Sequence, residues 1–432
     1  MRLRSRVGLH DSDVDAFAHD GDPVRIVFAE PERVVGLLVD GAVPARAARA
    51  KAPNGDWFEL EGEPLAELGG VRLRRGSLLC SELELATPHA EVIEIHVDHE
   101  VHALRDFARA YRLDFQALAY GRESFDQFHG YRILGSQAGE EPQRVEAVAI
   151  SRPAGRFGNN LMQLVQATHV AQELGVDTIY MPPMPWFEAG PLSRSAGELE
   201  YVDYSDVEDI AVPSLFATFL FEDLEPAVST LDGQLRQRLV DRHVSSLFRP
   251  PPLGEPRPAN HVAVHIRSGD LFDRSDPHPN FVQPPLAFYT LALSQFAAAR
   301  PGAHVTLVYE DEGNPVIAAL QAFLENERIP YTVSSSSISE DLSVLLEHRA
   351  LVLGRGSFGV AAAALSALVE TLYVPWSEPR FPGLVRERHL DGRLIEENEP
   401  RYLEQGEWTN SSDQRRLMIE YPAENLTVMR LH

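Results

Sequence analysis

Asn260-His261-Val262-Ala263-Val264-His265-Ile266-Arg267-Ser268-Gly269-Asp270 reads as a buried strand that runs into a cluster of polar groups. Strand side chains alternate, so Val262, Val264 and Ile266 share one face, and Ala263, His265 and Arg267 the other. His265 and Arg267 then point the same way, roughly 7 Å apart. Ser268-Gly269-Asp270 follows at once. In open parallel sheets, ligands sit beyond the carboxyl ends of strands. A guanidinium there suits a phosphate, because its planar fork donates two charge-assisted hydrogen bonds. A plainer alternative is that Arg267 pairs with Asp270 and His265 is a core histidine.

Upstream, Val145 to Ile150 is a short apolar run, and Gly155-Arg156-Phe157-Gly158-Asn159-Asn160 follows it. Two glycines allow a tight loop and close backbone approach. Asn159 is a residue type that caps helices. Leu161, Val165, Thr168, Ala171 and Leu174 form a stripe behind it, and Gly175 suits a helix end. The arrangement could hold a sugar or phosphate at a helix N-terminus, or be an ordinary strand-to-helix turn. The dinucleotide glycine fingerprint and a P-loop lysine are both absent.

Downstream, Ser337 or Ser339 opens a helix that carries Asp341, Ala350 to Leu353 is a strand, and Gly354-Arg355-Gly356-Ser357-Phe358-Gly359 is a loop before an apolar helix. Ser357 suits a cap, and its hydroxyl with the helix N–H groups would also serve a phosphate. Asp311 closes another strand, His304 to Glu310.

In this order the three segments resemble the superfamily of α-1,2-, α-1,6- and protein O-fucosyltransferases. Gly155-Arg156-Phe157-Gly158-Asn159 is similar to its first motif, with Asn160 where glutamine usually stands. His265-x-Arg267-x-x-Asp270 is similar to the second; Ser268 replaces the second arginine of the α-1,2 and α-1,6 enzymes. Asp341 and Ser357-Phe358 are similar to the third. The resemblance covers about Val145 to Pro375 and implies a GT-B glycosyltransferase that inverts the anomeric centre and uses GDP-fucose as donor substrate. His265 and Arg267 would hold the donor sugar and diphosphate. Asp341 would contact the guanine, and Asp311 would lie near the ribose or guanine. Ser357 and Phe358 would border the phosphate and base. Arg156, Gly158 and Asn159 would close over the donor from a facing lobe, with Arg267 and Arg156 meeting the charge of the leaving group. Asp270 is expected to orient Arg267.

Composition narrows the classes. The 432-residue chain has a formal net charge of −25, against a nucleic-acid partner or an anionic membrane surface. An anionic donor therefore needs a local positive island, with Arg156, Arg267 and Arg355 as candidates. Lys51 is the only lysine, so lysine-based chemistry is not expected. Cys80 is the only cysteine, which leaves no intramolecular disulfide or cysteine-rich metal site. No apolar leader and no run long enough to span a membrane is read, unlike the anchored eukaryotic enzymes of the family resembled, so a cytoplasmic, bacterial enzyme is expected, and the resemblance implies polysaccharide biosynthesis. Asp-x-Asp spacing occurs only at Asp11-Asp13, Asp13-Asp15 and Asp20-Asp22, away from the Arg267 strand. Metal-free catalysis without a cofactor is expected.

The fold class expected is α/β, with two facing Rossmann-like lobes after a small β-rich domain. Residues 1–98 read as a β-rich accessory module, with a turn at Glu30-Pro31-Glu32 and a hairpin at Asn54-Gly55. Residues 99–144 read as a helical connector, residues 145–255 as the acceptor-side lobe and residues 256–432 as the nucleotide-sugar lobe with a C-terminal tail. Phe248 to Pro258 holds five prolines and a glycine, excludes helix and central strand, and reads as a linker. Glu188 and Asp203 are candidates for a general base, and the rigid stretch His278 to Pro285 for the acceptor path. Other readings are a two-lobe transferase with another nucleotide-sugar, or an inactive glycan- or nucleotide-binding protein.

Overall fold

The computed structural model describes residues 144–189, 199–220, 231–273, 281–376 and 381–431, and eleven strand segments between Arg2 and Leu134. The chain divides into two compact units. One comprises Met1–Arg152, Val170–Pro182 and Pro191–Thr230; the other comprises Pro153–His169, Pro183–Gly190 and Leu231–His432.

Among the described residues the first unit carries three five-stranded sheets, two of them antiparallel except where Arg2–Ser5 pairs with Val92–Val97. Ala48–Lys51 and Trp57–Glu59 pair antiparallel, and the hairpin residues expected between them, Asn54 and Gly55, lie outside the described residues. Val24–Glu32 runs through Pro31 with an irregular register instead of turning there, and Val34–Val39 joins the other sheet. Alternation is clean: Ile26, Ala50 and Leu83 are buried, whereas Arg49 and Lys51 bond across to Glu84 and Glu82 at 2.7 and 2.5 Å. A helix expected over Val101 to Tyr120 lies outside the described residues, as do Asp11, Asp13, Asp20 and Asp22. Within the expected connector, Arg132–Leu134 is a strand.

That strand pairs antiparallel with the edge of a parallel sheet. The parallel strands are β1 (Ala147–Ile150), β2 (Thr178–Met181), β3 (Glu200–Asp203) and β4 (Ser214–Ala217), in the order β3-β2-β1-β4. β1 and β4 are buried throughout, as parallel strands covered on both faces must be. Helix α1 (Phe157–Leu174) follows β1, and α2 (Gly233–Arg242) lies further on.

The second unit is built on seven strands: β5 (His261–Ile266), β6 (His304–Tyr309), β7 (Tyr331–Ser334), β8 (Ala350–Leu353), β9 (Thr371–Pro375), β10 (Asp391–Glu397) and β11 (Leu426–Leu431). Their order is β7-β6-β5-β8-β9-β10-β11, parallel up to the antiparallel β11. Numbered along the chain, the first six lie 3-2-1-4-5-6, the order of doubly wound dinucleotide-binding sheets. Helices α3 (Asp270–Asp273), α4 (Leu286–Ala299), α5 (Val316–Asn326), α6 (Ile338–Glu347), α7 (Ser357–Leu365), α8 (Phe381–Arg388) and α9 (Ser412–Glu420) accompany them. The fold is therefore α/β with parallel sheets, as expected. The direction of winding reverses between β5 and β8, and a crevice opens beyond the carboxyl ends of two such strands.

The C-terminal tail braces this crevice from behind. Trp408 Nε1 donates to the Leu271 carbonyl at 3.0 Å, and Asn410 and Arg415 donate to that of Phe272 at 2.8 Å each. The short helix α3, which begins at Asp270, is thus fixed. Proline-rich Phe248 to Pro258 forms neither helix nor strand beyond one bridge at Phe248. It lies along α6, where Glu347 accepts from the Gly254 N–H at 2.6 Å and pairs with Arg257 at 3.1 Å. Among the described residues no helix is long and apolar enough to cross a membrane.

Candidate functional site

A cavity of about 530 Å³ lies at the switch point between β5 and β8, entirely within the second unit. Its wall includes Arg156, Gly158, Asn159, His265, Arg267, Asp341, Ser357 and Phe358. Residues from all three motifs therefore meet in one place. The loop Pro153 to Arg156 and the start of α1 belong to the same compact unit as β5.

Gly158 explains how α1 reaches the crevice. A Cβ on Gly158 would overlap the Ser357 carbonyl and come within 2.7 Å of its hydroxyl oxygen. Only glycine lets these two helix starts approach so closely. Asn159 does not cap: α1 starts at Phe157, and the Asn159 N–H already bonds to the Arg156 carbonyl at 2.9 Å. Its side-chain oxygen accepts from the Ser357 hydroxyl at 2.9 Å. Ser357 is accordingly not a cap either; Gly356 holds that position. Asn160 is buried and donates to the Ala154 carbonyl at 3.3 Å, while Gln163 accepts from the Ala154 N–H at 2.8 Å. Together they fix the loop that presents Arg156.

His265 is 7% exposed, and its Nδ1 has no hydrogen-bond partner. Burial first, then the neighbouring Arg267 charge, push its pKa down to about 3, so the ring is neutral. The ring packs against Phe358 at 5.2 Å between centroids, and Phe358 meets Phe157 edge-on at 5.9 Å.

Arg267 follows the strand and pairs with Asp270, the orientation expected of that carboxylate. Its other terminal nitrogen lies 3.7 Å from Glu310. Glu310 also accepts from Arg156 at 2.8 Å and lines the cavity. Gly269 adopts φ +66°, and a Cβ there would stand 2.5 Å from a Glu310 oxygen. The glycine thus serves both the turn and the seat of the carboxylate.

Asp311 is not among the residues that line the cavity. It turns into the loop instead, accepting from the Ser268 hydroxyl and from the N–H groups of Gly269 at 3.3 Å and Gly313 at 2.8 Å. Burial opposes its charge, but those donors and Arg267 outweigh it and hold its carboxyl below the usual range. Asn314 completes the scaffold by donating to the Arg267 carbonyl at 2.8 Å. Asp311 therefore shapes the Arg267 loop from within.

Asp341 sits in the first turn of α6, which Ser337 caps. It accepts from the Ser334 hydroxyl at 2.9 Å. Burial is the main cause that raises its pKa to about 6; Ser334 opposes it, and Glu340 and Glu310 add to it.

Sequence reasoning missed Glu310, Tyr309 and Ser336 on the wall. Glu310 stands one residue before Asp311, and only the turn after β6 decides which of the two faces the cavity. Ser337, expected only as a helix cap, is on the wall as well. Glu188 pairs with Arg249 at 3.0 Å and is not on the wall; Asp203 belongs to the other unit. Of the stretch His278 to Pro285, Phe281 is on the wall, and His278, Pro279 and Asn280 lie outside the described residues.

No protein-family model matches the chain, and no curated protein matches it. Similar solved structures include POFUT1 in complex with GDP, with 12% identity and a TM-score of 0.30 over 54% of this chain and 98% of that one. Escherichia coli ADP-heptose LPS heptosyltransferase II gives 14% and 0.22 over 54% and 72%. The iron-containing heptosyltransferase TibC, solved with ADP-D-beta-D-heptose, gives 9% and 0.24 over 91% and 80%. Likeness at such TM-scores carries no argument, and a functional reading has to stand on the cavity itself.

Proposed function

We propose that this chain is a glycosyltransferase that takes a nucleotide-diphosphate sugar, GDP-fucose in the first instance, and transfers the sugar to a hydroxyl of a glycan without a metal ion. The observation that carries this reading is the convergence of Arg156, Asn159, His265, Arg267, Asp341, Ser357 and Phe358 on one cavity at the switch point of a doubly wound sheet. Those residues come from three stretches about a hundred residues apart, each read independently from the sequence.

In this reading Arg267 and Arg156 bind the diphosphate, with His265 as a neutral hydrogen-bonding wall beside the sugar. Asp341 accepts from the base, as a carboxylate suits the adjacent N–H donors of guanine. Phe358 and Ser357 border the base and phosphate. The acceptor oxygen attacks the anomeric carbon from the face opposite the diphosphate. The bond from that carbon to the phosphate oxygen breaks, its electron pair leaves with the nucleoside diphosphate, and the proton of the acceptor hydroxyl is lost late, to the leaving diphosphate. Fixed guanidinium donors meet the charge as it grows. Asp311 supports Arg267 from behind. The strand-rich residues 1–98 act as an accessory module, and the enzyme works in the cytoplasm.

A thermal-shift panel with GDP, UDP, CMP and ADP tests the donor, because a bound ligand stabilises the fold by mass action. GDP is expected to raise the melting temperature and the others to leave it unchanged. A shift with UDP alone would exclude GDP-fucose. Hydrolysis of GDP-fucose should continue in EDTA; loss of turnover that manganese restores would exclude the metal-free mechanism.

A further inference from the structure

Glu310 spans the two arginines of the cavity. Its Oε1 is 2.8 Å from Arg156, its Oε2 is 3.7 Å from Arg267, and Oε2 also rests over Gly269. Both carboxylate oxygens therefore face the guanidiniums. The cavity wall holds Arg156 and Arg267 against Asp270, Glu310 and Asp341, so the cations do not outnumber the carboxylates. A diphosphate entering such a wall meets carboxylate charge at the guanidiniums that would hold it.

Asp341 touches neither arginine and is held by Ser334. Asp270 sits on the fixed helix α3, pairs with Arg267 three residues away and lies 4.0 Å from Arg156. Glu310 differs from both. Its side chain is 46% exposed and follows the end of β6, and only its backbone carbonyl is anchored, by the Ser335 hydroxyl at 3.4 Å. Rotation about its side-chain bonds would release its own hold on both guanidiniums without moving the backbone, leaving Asp270 beside them.

We infer that Glu310 occupies the seat of a phosphoryl group, holding Arg156 and Arg267 in position, and that a diphosphate ligand exchanges with it at the two guanidiniums. This inference rests on the nucleotide-sugar reading for its natural ligand, and the arginine pair makes it testable with pyrophosphate alone. Glu310 then sets how strongly an anion must compete to enter. It screens out weak anions and lowers the affinity for the right one.

The test is calorimetry at fixed ionic strength with pyrophosphate and with GDP, on the wild-type chain, Glu310→Gln and Glu310→Ala, each checked for an unchanged melting profile. Two half-exposed ion pairs are modest individually, and their loss together corresponds to about tenfold in affinity. Pyrophosphate is expected to bind Glu310→Gln about tenfold more tightly than wild type, and Glu310→Ala at least as tightly. Adding Arg267→Ala should abolish that gain, as coupled residues require. Equal or weaker pyrophosphate binding in both Glu310 variants would overturn the exchange, as would binding to none of the proteins. A gain that survives Arg267→Ala would reduce it to a general charge effect and overturn it too. Should pyrophosphate show the gain while no nucleotide binds better than pyrophosphate, the exchange stands and the nucleotide-sugar reading fails.

Discussion

Gly158 lies against the backbone of Ser357, so close that a Cβ on the glycine would overlap the serine carbonyl. Residues 199 apart thereby set the gap between two helix starts, and Asn159 to Ser357 at 2.9 Å locks it. Gly158→Ala should force α1 and α7 apart at a cost of roughly 1–3 kcal/mol. The melting temperature should fall and GDP affinity with it. An alanine variant with wild-type stability and affinity would show that the contact is not needed.

Arg267→Ala is expected to weaken GDP binding by roughly 1.5–3 kcal/mol, the range for hydrogen bonds to charged groups. Turnover should fall further, by about 2.7–4 kcal/mol in barrier, because the leaving charge grows in the transition state. Arg267→Lys should restore only part, lacking the bidentate fork. The carboxylates it meets, Asp270 and Glu310, are 40% and 46% exposed, so the stability change should stay within about 1 kcal/mol. Melting curves and GDP titrations on the same protein separate the roles: a large loss of stability at unchanged affinity would make Arg267 structural.

Asp341 gives a prediction with opposite signs for stability and binding. Its pKa is raised to about 6, so the folded chain holds that proton more tightly than the unfolded chain does. The contribution to stability is full below the ordinary carboxylate range and is lost as pH rises through about 6. Asp341→Asn should therefore stabilise the protein at pH 7, by about 1–2 kcal/mol for a partly buried group, and flatten the loss between pH 4 and 6. The same substitution should weaken GDP, because the amide puts an NH2 donor where the carboxylate has its second acceptor oxygen. Denaturant melts against pH and a GDP titration check both halves.

His265 and His348 carry the reverse linkage. His348 is buried at the end of α6, and burial is the leading cause in each, with pKa values near 3 and 4. Both rings are neutral when folded and take up protons on unfolding, so the stability they contribute is lost as pH falls below the free histidine range. Proton NMR should show their ring signals unshifted from pH 8 to 5. A ring that titrates near 6.5 would mean that water reaches it. His265→Gln should reduce the steepness of acid unfolding.

The motif order was legible because each motif is local: a strand, a short loop and the residues that leave it. The faces of β5 followed from alternation alone, and the prolines from Pro250 to Pro258 ruled out regular structure there. Choices between neighbours were not legible. Asn159 and Ser357 both have cap chemistry, yet each helix starts earlier than its cap residue type suggests, and the two side chains bond to one another instead. Asp311 attracted the site reading because its acid matched a family position, whereas the turn through Gly313 draws it inward and leaves Glu310 facing the cavity. No sequence pattern encodes that turn. Strand order, which puts β5 beside β8 and so creates the crevice, depends on long-range pairing.

The proline-rich stretch pinned along α6 has a consequence for the unfolded chain. Five prolines from Pro250 to Pro258 restrict the backbone before folding begins, so little conformational freedom remains to be lost when the Gly254 N–H and Arg257 meet Glu347. A run of glycine and serine could follow the same path and make the same contact, but it would start from a far larger ensemble. The prolines work as pre-tensioned rigging, set mostly in the denatured state.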